Sequence, residues 1–122
     1  MTPIASFLGL VFDCRSPHRL AEFWQQVLGG ETDPANTSDE WVALKGVPAL
    51  GYVCFQRVPE SKGVKNRVHI DIKVDDIASA VQHAETAGAQ SSGGVVDEPG
   101  NWLQVMLDPE GNEFCFIQLK PR

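Results

Sequence analysis

The strongest constraint on this chain is a pattern that it states twice: an apolar strand, an amphipathic helix, then further strands. Ser6–Asp13 is a nearly unbroken apolar run, short enough for a strand buried on both faces. Ser16 and Pro17 then open a helix, a hydroxyl residue just ahead of a proline suited to the first helical position. Leu20, Phe23, Trp24, Val27 and Leu28 recur at three- and four-residue spacing on one face of it, and Gly29-Gly30 stops it. After a polar, turn-rich stretch from Glu31 to Asp39, Trp41–Leu44 and Ala49–Arg57 read as strands joined by a turn at Gly46-Val47-Pro48.

A polar connection from Val58 to Asn66 leads into the second statement. Val68–Val74 alternates, with Ile70 and Ile72 on one face and His69, Asp71 and Lys73 on the other. Asp75 or Asp76 caps a helix carrying Ile77, Ala80, Val81 and Ala84 on one face, stopped at Gly88. A loose Ser/Gly stretch follows, with a weaker strand signal at Val95-Val96, and then Trp102–Leu107 reads as a strand. Asp108-Pro109-Glu110-Gly111 has the residue order of a type I turn, and Glu113–Leu119 returns as the last strand. The halves correspond at an offset of roughly sixty residues, which sets Gly9 against His69 and Val53-Cys54-Phe55 against Phe114-Cys115-Phe116. The expected fold is therefore α+β: one domain over residues 1–122, with modules at about 1–58 and 67–120.

Charge narrows the partners. A net charge of −6, with no basic cluster denser than Lys62, Lys65 and Arg67, argues against nucleic acid or an anionic membrane as partner. No apolar run approaches the roughly 20 residues of a membrane helix, and Met1–Ser6 lacks the features of a secretory leader. Cys14, Cys54 and Cys115 are odd in number and far apart, which fits a reducing cytoplasm better than a disulfide framework.

Three segments carry a family resemblance: Leu20–Gly30 (LAEFWQQVLGG), Arg67–Asp76 (RVHIDIKVDD) and Asp108–Phe116 (DPEGNEFCF). In this order and spacing the chain resembles the glyoxalase/bleomycin-resistance/extradiol-dioxygenase superfamily, the vicinal oxygen chelate proteins. The resemblance implies paired βαβββ modules whose mixed sheets curl into an open, barrel-like cleft with helices outside. It also implies a homodimer and a small-molecule ligand, in a family of metal-dependent isomerases, lyases and dioxygenases and of metal-free drug-binding proteins. The metal-ligand positions it implies fall at Gly9, Cys54, His69 and Cys115, of which only His69 keeps a usual ligand. No metal or other cofactor is therefore expected, with His69, Cys54 and Cys115 as an alternative thiolate-rich divalent set. The two cysteines also read as small buried hydrophobes.

The expected ligand-contacting residues are His69, Asp71, Gln56, Tyr52, Trp41, Trp102 and Glu113. His69 and Asp71 share a strand face, so the imidazole can serve as a general base with its proton affinity tuned by the carboxylate. Trp41 and Trp102 each open a strand after a loop, where they either line a pocket or pack within a sheet, whereas Trp24 belongs to a helix core. Tyr52 and Gln56 share the parity of Cys54, and Glu113 that of Cys115. The leading expectation is a glyoxalase-like small-molecule-binding protein without the usual metal site. The alternatives are a lyase- or isomerase-type enzyme using His69 as metal ligand or base, and a non-catalytic dimeric interaction module.

Overall fold

The computed structural model describes all 122 residues and divides the chain into two compact units, Met1–Ser61 and Lys62–Arg122. Each has the order strand, helix, three strands. The first contains β1 (Gly9–Cys14), α1 (Pro17–Leu28), β2 (Glu31–Thr32), β3 (Trp41–Val47) and β4 (Gly51–Arg57). The second contains β5 (Asp71–Lys73), α2 (Ile77–Thr86), β6 (Gln90–Glu98), β7 (Asn101–Leu107) and β8 (Glu113–Leu119). Both sheets are open, four-stranded and mixed, in the orders β1-β4-β3-β2 and β5-β8-β7-β6. The first strand of each unit runs parallel to its last, and the remaining pairs are antiparallel. No helix is long and apolar enough to cross a membrane.

In the first unit one sheet face is closed by α1, which packs on β3 and β4. Leu20, Phe23 and Trp24 from the helix are buried with Val42, Leu44, Val53 and Phe55 from the strands. Phe12 stacks between Trp24 and Phe55, with centroids 5.2 and 5.4 Å away. These aromatic areas carry most of the unit's apolar burial. The helix ends where the glycine pair predicts, with positive φ at both Gly29 and Gly30. Gly30 also admits no side chain, because a Cβ there would lie 2.6 Å from Val47 Cγ2.

In the second unit α2 packs on β6, β7 and β8 over Met106, Phe114 and Phe116. Of the two candidate caps it is Asp76 that accepts the Ser79 N–H at 2.9 Å, while Gln118 Oε1 accepts that of Ile77 at 3.0 Å. Two of the helix's orphan donors are thereby satisfied. The Asp108 turn forms as its residues dictate. Gly111 N–H donates to Asp108 O at 2.9 Å, and the buried Asp108 carboxylate takes the backbone N–H groups of Glu110 and Asn112 at 2.9 and 3.0 Å.

Several boundaries differ from the sequence expectation. β1 begins at Gly9 rather than Ser6, leaving Phe7 and Leu8 exposed ahead of the ladder. β3 continues through Gly46 to Val47 by way of a bulge, and the turn moves on to residues 48–50. β2 is a two-residue strand inside the stretch expected to be turn alone. β5 pairs over only three residues, so His69 lies in the segment leading to the strand. β6 spans nine residues across the Ser/Gly stretch, and its bulge between Ser92 and Val96 is tied down by the buried Gln104, which donates to Gly93 O at 3.0 Å.

Candidate functional site

Opposite the α1 side, the first sheet presents alternate residues that the register fixes. Gly9 pairs with Tyr52, Val11 with Cys54 and Asp13 with Gln56, while β3 brings Trp41 beside Gln56 and Ala43 beside Cys54. Tyr52, Cys54 and Gln56 thus share one face, as their parity predicts, and the β3–β4 register adds Trp41 to it. A hollow of about 280 Å³ opens there, walled by Val11, Trp41, Tyr52 and Cys54, with Asn36 also in its lining. Gln56 lies on this face beyond the hollow's lining.

Asn36 has no counterpart among the expected residues. Its place follows from Asp33, which was legible only as part of an Asp-Pro breaker. The Asp33 carboxylate accepts the Ala35 N–H at 3.2 Å and the Asn36 amide at 2.9 Å, so the short 3₁₀ turn Pro34–Asn36 is held in one shape. Thr37 Oγ1, donating to Asp33 O at 2.8 Å, anchors the exit of that turn. Burial pushes the Cys54 thiol up, so this thiol stays protonated near pH 7.

The corresponding face of the second sheet carries Asp71, Lys73, Glu113 and Cys115 together with Leu103, Val105, Leu107 and Ile117. Asp71 pairs with Cys115 across β5 and β8, and Cys115 N–H donates to Ile70 O at 3.0 Å, which holds the approach to β5 against β8. His69 therefore falls on the Asp71 side, with Nε2 3.4 Å from Asp71 Oδ1. The imidazole, carboxylate and thiol atoms of His69, Asp71 and Cys115 all lie within 4.8 Å of one another. Burial first, and the negative charge of Asp71 second, push the Cys115 thiol up, with Lys65 pulling it the other way.

Two expected site residues take other places. Trp102 pairs with Gln118, on the side of β7 that carries Met106 and Gln104 and faces α2. There it borders a separate hollow of about 420 Å³ with Ile77, Val81 and Gln118, and Lys120 Nζ sits 5.0 Å from its ring centroid. It is thus on the opposite face of the sheet from His69, Asp71 and Cys115, because Cys115 pairs with Val105 and neighbouring residues alternate. Glu113 shares the Cys115 face, but its carboxylate is taken. Lys62 Nζ is 2.6 Å from one oxygen, and the Asn66 N–H donates to both at 3.1 Å. Burial opposes its ionisation, yet the Lys62 and Asn66 bonds outweigh burial and hold the carboxyl below its ordinary value.

The register makes the two faces directly comparable. Where the first unit places Gly9, Val11 and Cys54, the second places His69, Asp71 and Cys115. One triplet offers a single buried thiol and the other offers nitrogen, oxygen and sulfur donors.

Residues 9–117 match the sequence profile of the glyoxalase-like domain. The chain belongs to that family. The glyoxalase-like fold is also found in solved structures of low identity. A glyoxalase/bleomycin resistance protein/dioxygenase family enzyme from Burkholderia phytofirmans PsJN is 21% identical, with 95% of this chain and 100% of that one covered and a TM-score of 0.78. TioX from Micromonospora sp. ML1 is 20% identical, with 95% and 100% covered and a TM-score of 0.64. A mutant of the fosfomycin resistance protein FosX from Listeria monocytogenes, solved with Mn(II) and 1S,2S-dihydroxypropylphosphonic acid, is 11% identical, with 93% and 90% covered and a TM-score of 0.74. No curated protein sequence matches the chain.

Of the metal-ligand positions that the resemblance implies, two fall in the first unit, at Gly9 and Cys54. Gly9 offers no donor, and the space for one is closed: a Cβ there would lie 2.9 Å from Tyr52 O. Cys54 is flanked by Val53 and Phe55 and seated against the apolar residues Val11 and Ala43. At these two positions the first unit therefore offers one buried thiol and no nitrogen or oxygen donor.

Proposed function

We propose that this glyoxalase-like protein binds a small, flat, largely uncharged molecule in the hollow of its first unit, without the superfamily's metal. The observation that carries the reading is the hollow's lining, which combines two aromatic rings and aliphatic groups with one amide and contains no Lys, Arg, Asp or Glu. Ligand sites pair mostly apolar walls with a few orienting polar groups, and Asn36 is held in place by Asp33 for that purpose. A volume of about 280 Å³ suits one or two fused rings. The structural neighbours, an enzyme of a glyoxalase/bleomycin resistance protein/dioxygenase family and a fosfomycin resistance protein, agree with small-molecule handling.

The reading extends to a homodimer, supported by the exposed Ile4, Phe7 and Leu8 leading into the edge strand β1, and to a reducing compartment, supported by three free cysteines. Coumarin, an uncharged bicycle, tests the site, with benzoate as the charged comparison and a chelator present throughout. The expected result is a saturable rise in Tm with coumarin alone, lost in Trp41→Ala. Equal responses to both probes, or a coumarin response that survives Trp41→Ala, would sink the proposal.

A further inference from the structure

The second unit has its larger hollow beneath α2, on the opposite face of the sheet from Asp71 and Cys115. We propose that this hollow binds a small planar organic cation of the amidine or aromatic-amine class. Its positive group pairs with Asp76, an N–H donates to Gln104, and its ring lies against Trp102.

The walls follow from the register. Trp102 and Gln104 alternate onto the α2 side of β7, and Gln118 stands opposite Trp102 on β8. From the helix only Ile77 and two smaller residues, Ala78 and Val81, face them, and a volume of about 420 Å³ remains between helix and sheet. The Ile77 N–H bond to Gln118 Oε1, at 3.0 Å, holds the first turn of α2 over β8. That volume lies within the range of small-molecule sites, which combine apolar walls with a few orienting polar groups.

Three observations set the ligand class. The first is Gln104, only 4% exposed and opposite Phe116, where the first unit buries Val42 opposite Phe55. Its amide nitrogen donates to Gly93 O and Val105 O, both at 3.0 Å, while its carbonyl oxygen accepts no bond within the chain. No sealed polar atom of the chain lacks a partner, so this oxygen is open to the hollow and calls for a ligand N–H. The second is Asp76. One carboxylate oxygen takes the Ser79 N–H at 2.9 Å, the other takes no bond, and neither Lys nor Arg lines the hollow. The charge there favours a cation. The third is Trp102, whose ring already has a cation near it: Lys120 Nζ lies 5.0 Å from its centroid and is itself paired with Asp97. Indole faces attract planar cations in the same way. The hollow of the first unit, with no Asp or Glu in its lining, lacks this selectivity.

The test is calorimetric titration of the tag-free, reduced full chain with benzamidine, against its neutral analogue benzamide. The expected result is saturable binding of one equivalent of benzamidine, at least about tenfold tighter than benzamide. Asp76→Asn, which keeps a capping side chain on α2, weakens benzamidine at least about tenfold. Asp75→Asn makes the same change of charge outside the hollow and leaves the affinity unchanged. Gln104→Val, the residue of the first unit, weakens binding, and Lys120→Ala, which removes a like charge beside Trp102, does not. Absence of saturable benzamidine binding overturns the proposal, as does equal affinity for benzamide. Equal effects of Asp76→Asn and Asp75→Asn overturn it as well. Competition by coumarin, or weakening by Trp41→Ala, would move benzamidine to the first unit and overturn it too. Failure of coumarin to bind leaves each of these outcomes where it was.

Discussion

Asp71 faces Cys115 across β5 and β8 at the register position that Val11 and Cys54 hold across β1 and β4. One backbone frame thus presents a carboxylate beside a thiol in one unit and an isopropyl group in the other. The difference in chemistry between the faces rests on side chains alone.

A charge placed in the hollow should be felt by the ligand and hardly at all by the fold. Val11 is 47% exposed, so Val11→Asp is expected to change stability by no more than about 0.5 kcal/mol. An unpaired carboxylate against an apolar ligand costs at least about 1.4 kcal/mol, or tenfold in Kd. Calorimetric titration with coumarin measures the second effect and urea unfolding the first. Saturating coumarin should also slow alkylation of Cys54 and leave Cys115 unaffected.

Gly9→Ala tests the close approach of β1 to β4. The added methyl would sit 2.9 Å from Tyr52 O and 3.0 Å from Tyr52 Cβ, so the strands must part. A loss of about 1–3 kcal/mol is expected. The midpoint of urea unfolding reads it, and an unchanged midpoint would show that β4 yields without cost.

Glu113 predicts an acid limb in the stability curve. Its folded carboxyl titrates below the unfolded value of about 4.3. Its contribution is therefore fully present above that pH and is lost as pH falls through the lower, folded value. Glu113→Gln should cost about 1.5–3 kcal/mol at pH 7, where Lys62 and Asn66 lose a charged acceptor. The variant should approach the parent as pH falls below the unfolded value and toward the lower, folded one. Unfolding free energies measured from pH 7 to pH 3 decide it, and parallel curves would contradict the assignment.

Ala49 is the one non-glycine residue with positive φ, at 66°, in the turn that closes β3 on β4. An L-residue held there is strained by about 1 kcal/mol, and glycine relieves the contact at some entropic cost in the unfolded chain. Ala49→Gly is expected to raise the Tm. A lower Tm would mean that the entropy outweighs the relief.

Much of the frame was readable because its signals are local. The apolar stripe of α1, the glycine pair that ends it and the Asp108 turn each act within a few residues. The short β2 was not readable, because Glu31 and Thr32 are exposed and their strand exists only through pairing with Lys45 and Leu44. β6 was hidden in the same way: Ser91 to Gly94 carry no strand propensity, and the segment is held by β7 and by the Gln104 side chain across its bulge. At the sites, alternation grouped Tyr52, Cys54 and Gln56, and the β3–β4 register adds Trp41. It left the face of Trp102 open because its strand mixes polar and apolar residues on both faces, so the side toward α2 is set by Phe114 and Phe116 on the neighbouring strand. Asp71 was legible as a partner of His69. That it also meets Cys115 depends on the parallel register of β5 and β8, which no spacing along the chain encodes.

The contact between Gly9 and Tyr52 gives the repeated frame a direction in mutational time. Single substitutions at 69, 71 or 115 can strip donors from the second half and leave its backbone where it is. The reverse path in the first half is costly at position 9, since any side chain there meets the main chain of β4 before it offers an atom to a ligand. At that pair of positions chemistry is lost more easily in one half than it is gained in the other.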